Sequence, residues 1–305
     1  MAEFARLLEA FHAAMERDDV KSAESIASQC FSHVVEHQKK NPSDDFRLLD
    51  VAREHENAAH WEQAEAAYRQ FLALAKTETN PAYAYRGHID LSDLYRIRGK
   101  LDCALEEAKV AVEAARKTGI ESLLINALIA LTRCYLMKDD IASAATVAEE
   151  AVQLTPADKR YYLHRARALL MRARCRIEQH QVSEVQSDLD VAWELLMPKA
   201  GALFFAGVQG SLAQWWEVTA RIRTESKDAD GAAEAMGRAV ELWQAVSGLP
   251  QLAGPHKNFW LADVLRRYSA ALSAAGRVEA ATKVFEESCA IREQIGIGDL
   301  GSGTT

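Results

Sequence analysis

The sequence is poor in the residues that interrupt helices. Fifteen glycines and six prolines in 305 residues fall below the usual shares of about 7% and 5%, and clusters of β-branched residues with strict alternation are missing. Helix is therefore the default throughout. Long hydrophobic runs are lacking too: no apolar stretch reaches the roughly 18 residues that a membrane span needs, so no membrane role is expected. The first residues carry Glu3 and Glu9 and have neither the basic start nor the small-residue cleavage site of a secretory signal, which makes a cytoplasmic location the expectation. Cys30, Cys103, Cys134, Cys175 and Cys289 are odd in number and never closer than 31 residues. They form no disulfide framework and no CxxC pair, and read as buried reduced thiols. Basic residues are in deficit, with Lys+Arg at 36 against Asp+Glu at 44 and a net charge of −8, which disfavours nucleic acid as a partner. A hydrophobic share of 49% with 26% charged residues is that of a folded chain rather than a disordered one.

What is present is a helical period interrupted by short polar breaks. Leu128, Leu131, Thr132 and Tyr135, then Ala144, Val147, Ala148, Ala151 and Val152, mark two amphipathic helices on either side of Lys138-Asp139-Asp140. Similar breaks fall at Asp18-Asp19, Ala59-His60, Arg98-Gly99-Lys100, His180-Gln181, Lys227-Asp228 and Gly276-Arg277, and proline-bearing segments close most of the pairs. The unit is a helix-turn-helix hairpin. Aligning the small residue of each second helix gives Ala23, Ala64, Ala104, Ala144, Val185, Ala232 and Ala281, spaced by 41, 40, 40, 41, 47 and 49 residues. Twelve positions earlier stand Phe11, Ala52, Ser92, Thr132, Ala173, Ala220 and Ser269, so six of the seven hairpins set small against small, as a close helix crossing requires. Seven positions after the register residue, five of the hairpins again carry Ala or Ser, which predicts where the next hairpin docks.

The pattern Leu128, Leu131, Thr132, Tyr135, Ala144, Ala148, Ala151, Pro156 resembles the tetratricopeptide repeat, supported by Ser92, Tyr95, Gly99, Ala104, Ala108 and Ala111, by Ala64 and Tyr68, and by Gly276, Ala281 and Phe285. The period is longer than that family's usual one and is similar to the long-repeat branch of kinesin light chains and bacterial regulator sensor domains. The resemblance implies an all-α fold, a right-handed α-solenoid of about seven hairpins spanning residues 1–296 as one domain. Residues 297–305 read as a disordered tail. The two long intervals, around Pro198–Ser211 and Gly248–His256, predict irregularity.

No catalytic arrangement stands out. His33-Val34-Val35-Glu36-His37 matches HxxEH formally, but its second-helix setting and solvent-like flanks Gln38, Lys39 and Lys40 make it an ordinary polar stretch. In His55-Glu56-Asn57-Ala58-Ala59-His60 the histidines are five apart and would splay by about 140° on one helix. GxSxG, Walker and GxGxxG elements are missing, and Gly207-Val208-Gln209-Gly210 reads as a packing site. The expectation is a protein that is not an enzyme and uses no metal or cofactor.

In a helix-pair solenoid the first helices line a continuous concave wall. The resemblance puts position 9 of each repeat on that wall, occupied here by His12, Arg53, Asp93, Arg133, Arg174, Arg221 and Ala270. Between Lys159 and Ile177 the chain carries seven basic residues and no acid; Arg160, Arg167 and Arg174 follow one edge of the apolar stripe, and Arg165, Arg172 and Arg176 the other. One edge is expected to face the groove. The candidate groove residues are Arg53, Asp93, Arg133, Arg167, Arg174 and Arg221, with guanidinium forks suited to carboxylate. The alternative is a paired, solvated stripe, with Arg174 on Glu178, Arg221 on Glu225, and Asp93 and Glu56 bridging to Arg96 and Arg53. Phe204, Phe205, Trp215 and Trp260 form a second candidate surface for a partner, against a core-packing reading in which Trp216 shares. The expected function is an adaptor that holds a protein or peptide segment, acidic groups being the complement. The alternative is a regulatory sensor for a small anionic metabolite or short signalling peptide. A homo-oligomer is compatible with the sequence but not indicated by it.

Overall fold

The structure is a computed structural model that describes residues 59–75, 81–156, 159–200, 206–248 and 255–297 as continuous segments, with single positions and short stretches before residue 57. The described regular elements are helical: α1 (Trp61–Ala75), α2 (Pro81–Ile97), α3 (Leu101–Thr118), α4 (Glu121–Met137), α5 (Ile141–Leu154), α6 (Tyr162–Glu178), α7 (Val185–Leu196), α8 (Ala206–Glu225), α9 (Ala229–Ser247), α10 (Pro255–Ala274) and α11 (Val278–Gln294), with 3₁₀ turns at Lys159–Tyr161, Val182–Glu184 and Met197–Lys199. Helices α2/α3, α4/α5, α6/α7, α8/α9 and α10/α11 form consecutive hairpins, and α1 follows the helical residues around 49–56. The fold is an α-solenoid of tetratricopeptide-like hairpins.

Each polar break seen in the sequence from Ala59 onward is the same turn. Ala59, Gly99, Asp139, His180, Lys227 and Gly276 all have left-handed backbone, with φ between 56° and 73°. The next residue's N–H reaches back five positions, as in Lys100 to Tyr95, Asp140 to Tyr135 and Asp228 to Arg223. This closes the last carbonyls of the first helix and launches the second helix at a fixed angle. The register residues then meet their partners: Ala64, Ala104 and Ala144 are fully buried. Ser92 Oγ donates to the Ala104 carbonyl and Ser269 Oγ to the Ala281 carbonyl, both at 2.8 Å. The docking residues Ala111, Ala151, Ala192 and Ala239 are likewise fully buried.

The long intervals are absorbed partly by longer helices. α8, α9 and α10 run to 20, 19 and 20 residues, where α2 to α6 have 14 to 18. Two expectations need correction. Ile297, assigned to the tail, is buried, and its N–H bonds the Arg292 carbonyl. The thiols are not uniformly buried: Cys134 and Cys175 are, whereas Cys103 is exposed; Cys30 lies outside the described residues.

The solenoid also returns on itself. Phe259 and Trp260 of α10 pack against Arg96 of α2, whose guanidinium carbon lies 4.5 Å from the Trp260 ring centroid. Ile295 and Ile297 join the same core as Leu49, Ala52 and Trp61. The last hairpin thus meets the second and third, so the wall expected to be an open groove is bordered by this seam.

Candidate functional site

Seven residues are two helical turns, so residues seven apart share a face. Each first helix presents such a pair inward: Arg86 and Asp93 on α2, Asn126 and Arg133 on α4, Arg167 and Arg174 on α6, Gln214 and Arg221 on α8. On α10 the corresponding pair is Asp263 and Ala270, of which Ala270 is exposed; Trp260 reaches Arg96 and Arg133, and Arg267 reaches Glu217.

Most inner charges are neutralised. Asp90 receives Arg86 at 2.9 Å and Arg53 at 3.6 Å, with burial raising its carboxyl above the usual range against the pull of both cations. Arg96 donates to Asp93 at 2.5 Å. Arg267 donates to Glu217 at 2.6 Å and to Asp263 at 2.8 Å, while Trp243 Nε1 donates to the other Glu217 oxygen at 2.8 Å. Burial works against the Arg267 charge, but the two carboxylates outweigh it and hold the guanidinium above its ordinary range. Arg221 pairs with Glu178 of α6. That pairing corrects the sequence expectation, in which Glu178 served Arg174 and Glu225 served Arg221.

Three guanidiniums remain without a carboxylate. Among the described residues Arg133 and Arg174 make no ion pair or hydrogen bond, and Arg167 donates only to the Asn126 side-chain oxygen, at 3.3 Å. Arg133 Nε is buried with no acceptor, and its guanidinium carbon lies 5.7 Å from the Trp260 ring centroid. Burial, then Arg167 and Arg96, push Arg133 down to about 9. Burial lowers Arg167 against the pull of Asp93, and lowers Arg174 together with Arg267. All three stay charged at neutral pH. Among the described residues the arrangement is a cluster of cationic groups without carboxylate partners, and no group of three metal-ligating side chains converges.

The opposite edge of α6 is structural. Asp188 of α7 is buried and accepts from Arg172 at 2.6 Å and from Arg176 at 2.8 Å. Arg172 also reaches Glu149 at 3.1 Å, and Arg165 donates to the Thr155 carbonyl. Counting back two helical turns from Arg133 and Arg221, which the repeat position located, would have found Asn126 and Gln214. Arg96 carried no such signal, because its aromatic partners arrive through the seam; Arg267 and Trp243 meet on Glu217 through the packing of adjacent hairpins.

The aromatic surface is corrected as well. Trp260 lies at the seam, nearly parallel to Trp243 at 6.2 Å. Trp215 Nε1 donates to the Leu189 carbonyl at 2.9 Å, and its ring packs on Trp193 and Trp216 at 4.5 and 4.9 Å, so it ties adjacent hairpins together. Phe204, Phe205, His12 and the His33–His37 motif lie outside the described residues. His60 sits beyond the left-handed turn, not on the helix of His55, and the two rings are 5.8 Å apart rather than splayed.

No protein-family model and no curated protein sequence matches the chain. Solved structures do. The apo form of RapI superposes with a TM-score of 0.60 at 12% identity, over 97% of this chain and all of that one. A Rap protein complexed with Competence and Sporulation Factor gives 0.59 at 12% identity, over 97% of this chain and 76% of that one. BtubC from P. vanneervenii gives 0.47 at 16% identity, over 83% and 95%. The likeness to the two Rap structures is one of fold, a helical-repeat solenoid.

Proposed function

We propose that the protein is a cytoplasmic, non-catalytic binding module whose inner face holds a short anionic peptide segment, with Arg133, Arg167 and Arg174 as the anion-binding residues. Arg53, Asp93 and Arg221 flank them as paired groups that shape the wall. The observation that carries the reading is the contrast within one surface: five inner guanidiniums have carboxylates, and these three, on consecutive hairpins, have none. These half-buried guanidiniums bear part of the desolvation cost of a buried ion without a counter-charge, and a carboxylate ligand offsets that cost while gaining charge-assisted hydrogen bonds. The Rap structure similar in fold is a complex with a factor, which is consistent with ligand binding by this architecture. No helix among the described residues is long and apolar enough to cross a membrane. A second reading, a small anionic metabolite acting as a signal, is favoured by the seam between α10 and α2, because a bordered wall suits a ligand of limited size better than an open one.

Isothermal titration of the protein with short peptides graded from zero to three Glu residues tests the proposal. Affinity is expected to rise with the first acidic residues and to fall by about tenfold or more in an Arg133→Gln, Arg174→Gln variant that keeps its circular dichroism spectrum. Equal affinity for neutral and acidic peptides would overturn it.

A further inference from the structure

We infer that Arg133 and Arg174 form one seat for a single phosphoryl group, a doubly charged oxyanion shared between their two guanidiniums; this rests on the reading above that the inner face binds an anion, and it names that anion. α4 and α6 are the first helices of consecutive hairpins, so they run in the same direction, and they pack against each other at about the 10 Å usual for neighbouring helices. Arg167 of α6 donates to the Asn126 side chain of α4, and Asn126 Nδ2 lies 3.4 Å from His164 Nε2 of α6. These contacts fix the register of the two helices. Seven residues further on, about 10.5 Å along each helix, Arg133 and Arg174 stand level with one another. Both are half-buried, and among the described residues neither is tied by an ion pair or a hydrogen bond, so both forks are available to one group placed between the helices.

A second pair of arginines on α6 shows what charge such a seat takes. On the opposite edge Arg172 and Arg176 share one carboxylate, Asp188, and each has another: Glu149 for Arg172 and Glu184, at 3.5 Å, for Arg176. Two guanidiniums brought together are met there by more than one negative charge. Arg133 and Arg174 have no such supplement. The carboxylates whose fields reach them, Asp93 for Arg133 and Glu217 and Asp263 for Arg174, are engaged by Arg96 and Arg267. One Glu or Asp of a ligand leaves a positive charge over. A phosphoryl monoester brings a charge of about −1.5 to −2 at neutral pH and three acceptor oxygens, enough to meet a fork on each side. Arg167, already bonded to Asn126, adds its field from the level of that contact. The Trp260 ring, 5.7 Å from Arg133, covers the seat from one flank.

The test is isothermal titration of the full chain with four capped octapeptides of Ala, Ser and Gly that differ at one central residue: Gln, Glu, phosphoserine, or the methyl ester of phosphoserine, which keeps the phosphorus but carries a single charge. Phosphoserine is expected to bind at least about tenfold tighter than either singly charged peptide, as one added charge-assisted pair supplies. Arg133→Gln and Arg174→Gln, each alone and each with an unchanged circular dichroism spectrum, should bring phosphoserine down to the level of its methyl ester. Arg238→Gln removes the same charge from an exposed pair with Glu241 on α9 and should keep the preference. Free O-phosphoserine and inorganic phosphate are titrated in parallel. Binding of either as tightly as the phosphopeptide supports the seat and makes the ligand a small phosphorylated molecule; much weaker binding supports the seat on a phosphorylated peptide. Equal affinity for the Glu and phosphoserine peptides, both tighter than Gln, overturns the phosphoryl seat and leaves the anion-binding module standing. A preference that survives either arginine substitution overturns the sharing of one group. Equal binding of all four peptides, or no binding of any peptide or phosphate, overturns the seat and the binding module together.

Discussion

At the scale of single residues, the molecule's cost is concentrated at the left-handed turns. Gly99 and Gly276 adopt φ near 70° freely, but Ala59, Asp139, His180 and Lys227 take the same conformation with a Cβ in place, at roughly 1–2 kcal/mol each for an ordinary L-residue. Lys227→Gly removes that strain and returns some backbone freedom to the unfolded chain. The net expectation is a gain of about 0.5–1 kcal/mol, read as a higher urea midpoint with unchanged slope; Asp139→Gly should gain less, because Asp tolerates this conformation better. His164 reports on the inner face in another way. Burial, then Arg167, lower its pKa below the usual 6.5. The unfolded chain binds a proton there that the folded one refuses, so the stability contributed by neutral His164 is complete above pH of about 6.5 and is lost as pH falls toward the lowered value. Between pH 7 and pH 5 the wild type should lose more stability than His164→Gln in urea unfolding; parallel losses would show that the histidine is not held neutral.

At the scale of helices and hairpins, the small residues decide how closely elements approach. Ala104 is fully buried at its crossing with Ser92, whereas Val110 on the same helix is exposed. Ala104→Leu is expected to destabilise by roughly 1–3 kcal/mol through overpacking, while Val110→Leu should stay within about 0.5 kcal/mol, a contrast that thermal or urea unfolding resolves. Similar losses from both substitutions would mean that the register alanines do not set the packing. This level was largely legible beforehand, because a hairpin is a local object: its turn, its crossing pair and its docking alanine all fall within about 20 residues of one another. α6 shows where legibility stops. Its two arginine edges were evident, but which edge faced inward was not. Arg172 and Arg176 are claimed by Asp188, 16 and 12 residues further on, and only the packing of α7 on α6 brings that carboxylate to them.

At the scale of the whole molecule, the decisive feature is the seam that joins the last hairpin to the second and third. Gly296 has φ 66°, and a Cβ placed on it would lie 3.9 Å from the Ala59 Cβ and 3.5 Å from Trp61 Nε1. The first distance is within the range of a disulfide. In a Cys103→Ser background, which removes the exposed thiol, Ala59→Cys with Gly296→Cys should cross-link on mild oxidation, shift mobility on a non-reducing gel and raise the melting temperature. The chain-entropy gain for so long a loop is on the order of 5.5 kcal/mol, less the strain of two left-handed cysteines. No cross-link under conditions that oxidise surface thiols would mean that the seam does not form. The sequence by itself determined the helix hairpins, their turns, their period and the arginine-rich character of the first helices, because each of these is written in residues close along the chain. Tertiary structure alone decided which arginines remain unpaired and that the wall they line is bordered by the seam. The carboxylate that neutralises Arg221 comes from 43 residues away, and Arg267, besides its local Asp263, is held by Glu217 from 50 residues away; the ring of Trp260 reaches Arg96 and Arg133 only through the contact of the last hairpin with the earlier ones. Charge pairing depends on distance in space, and for these groups separation along the chain carries almost no information about it.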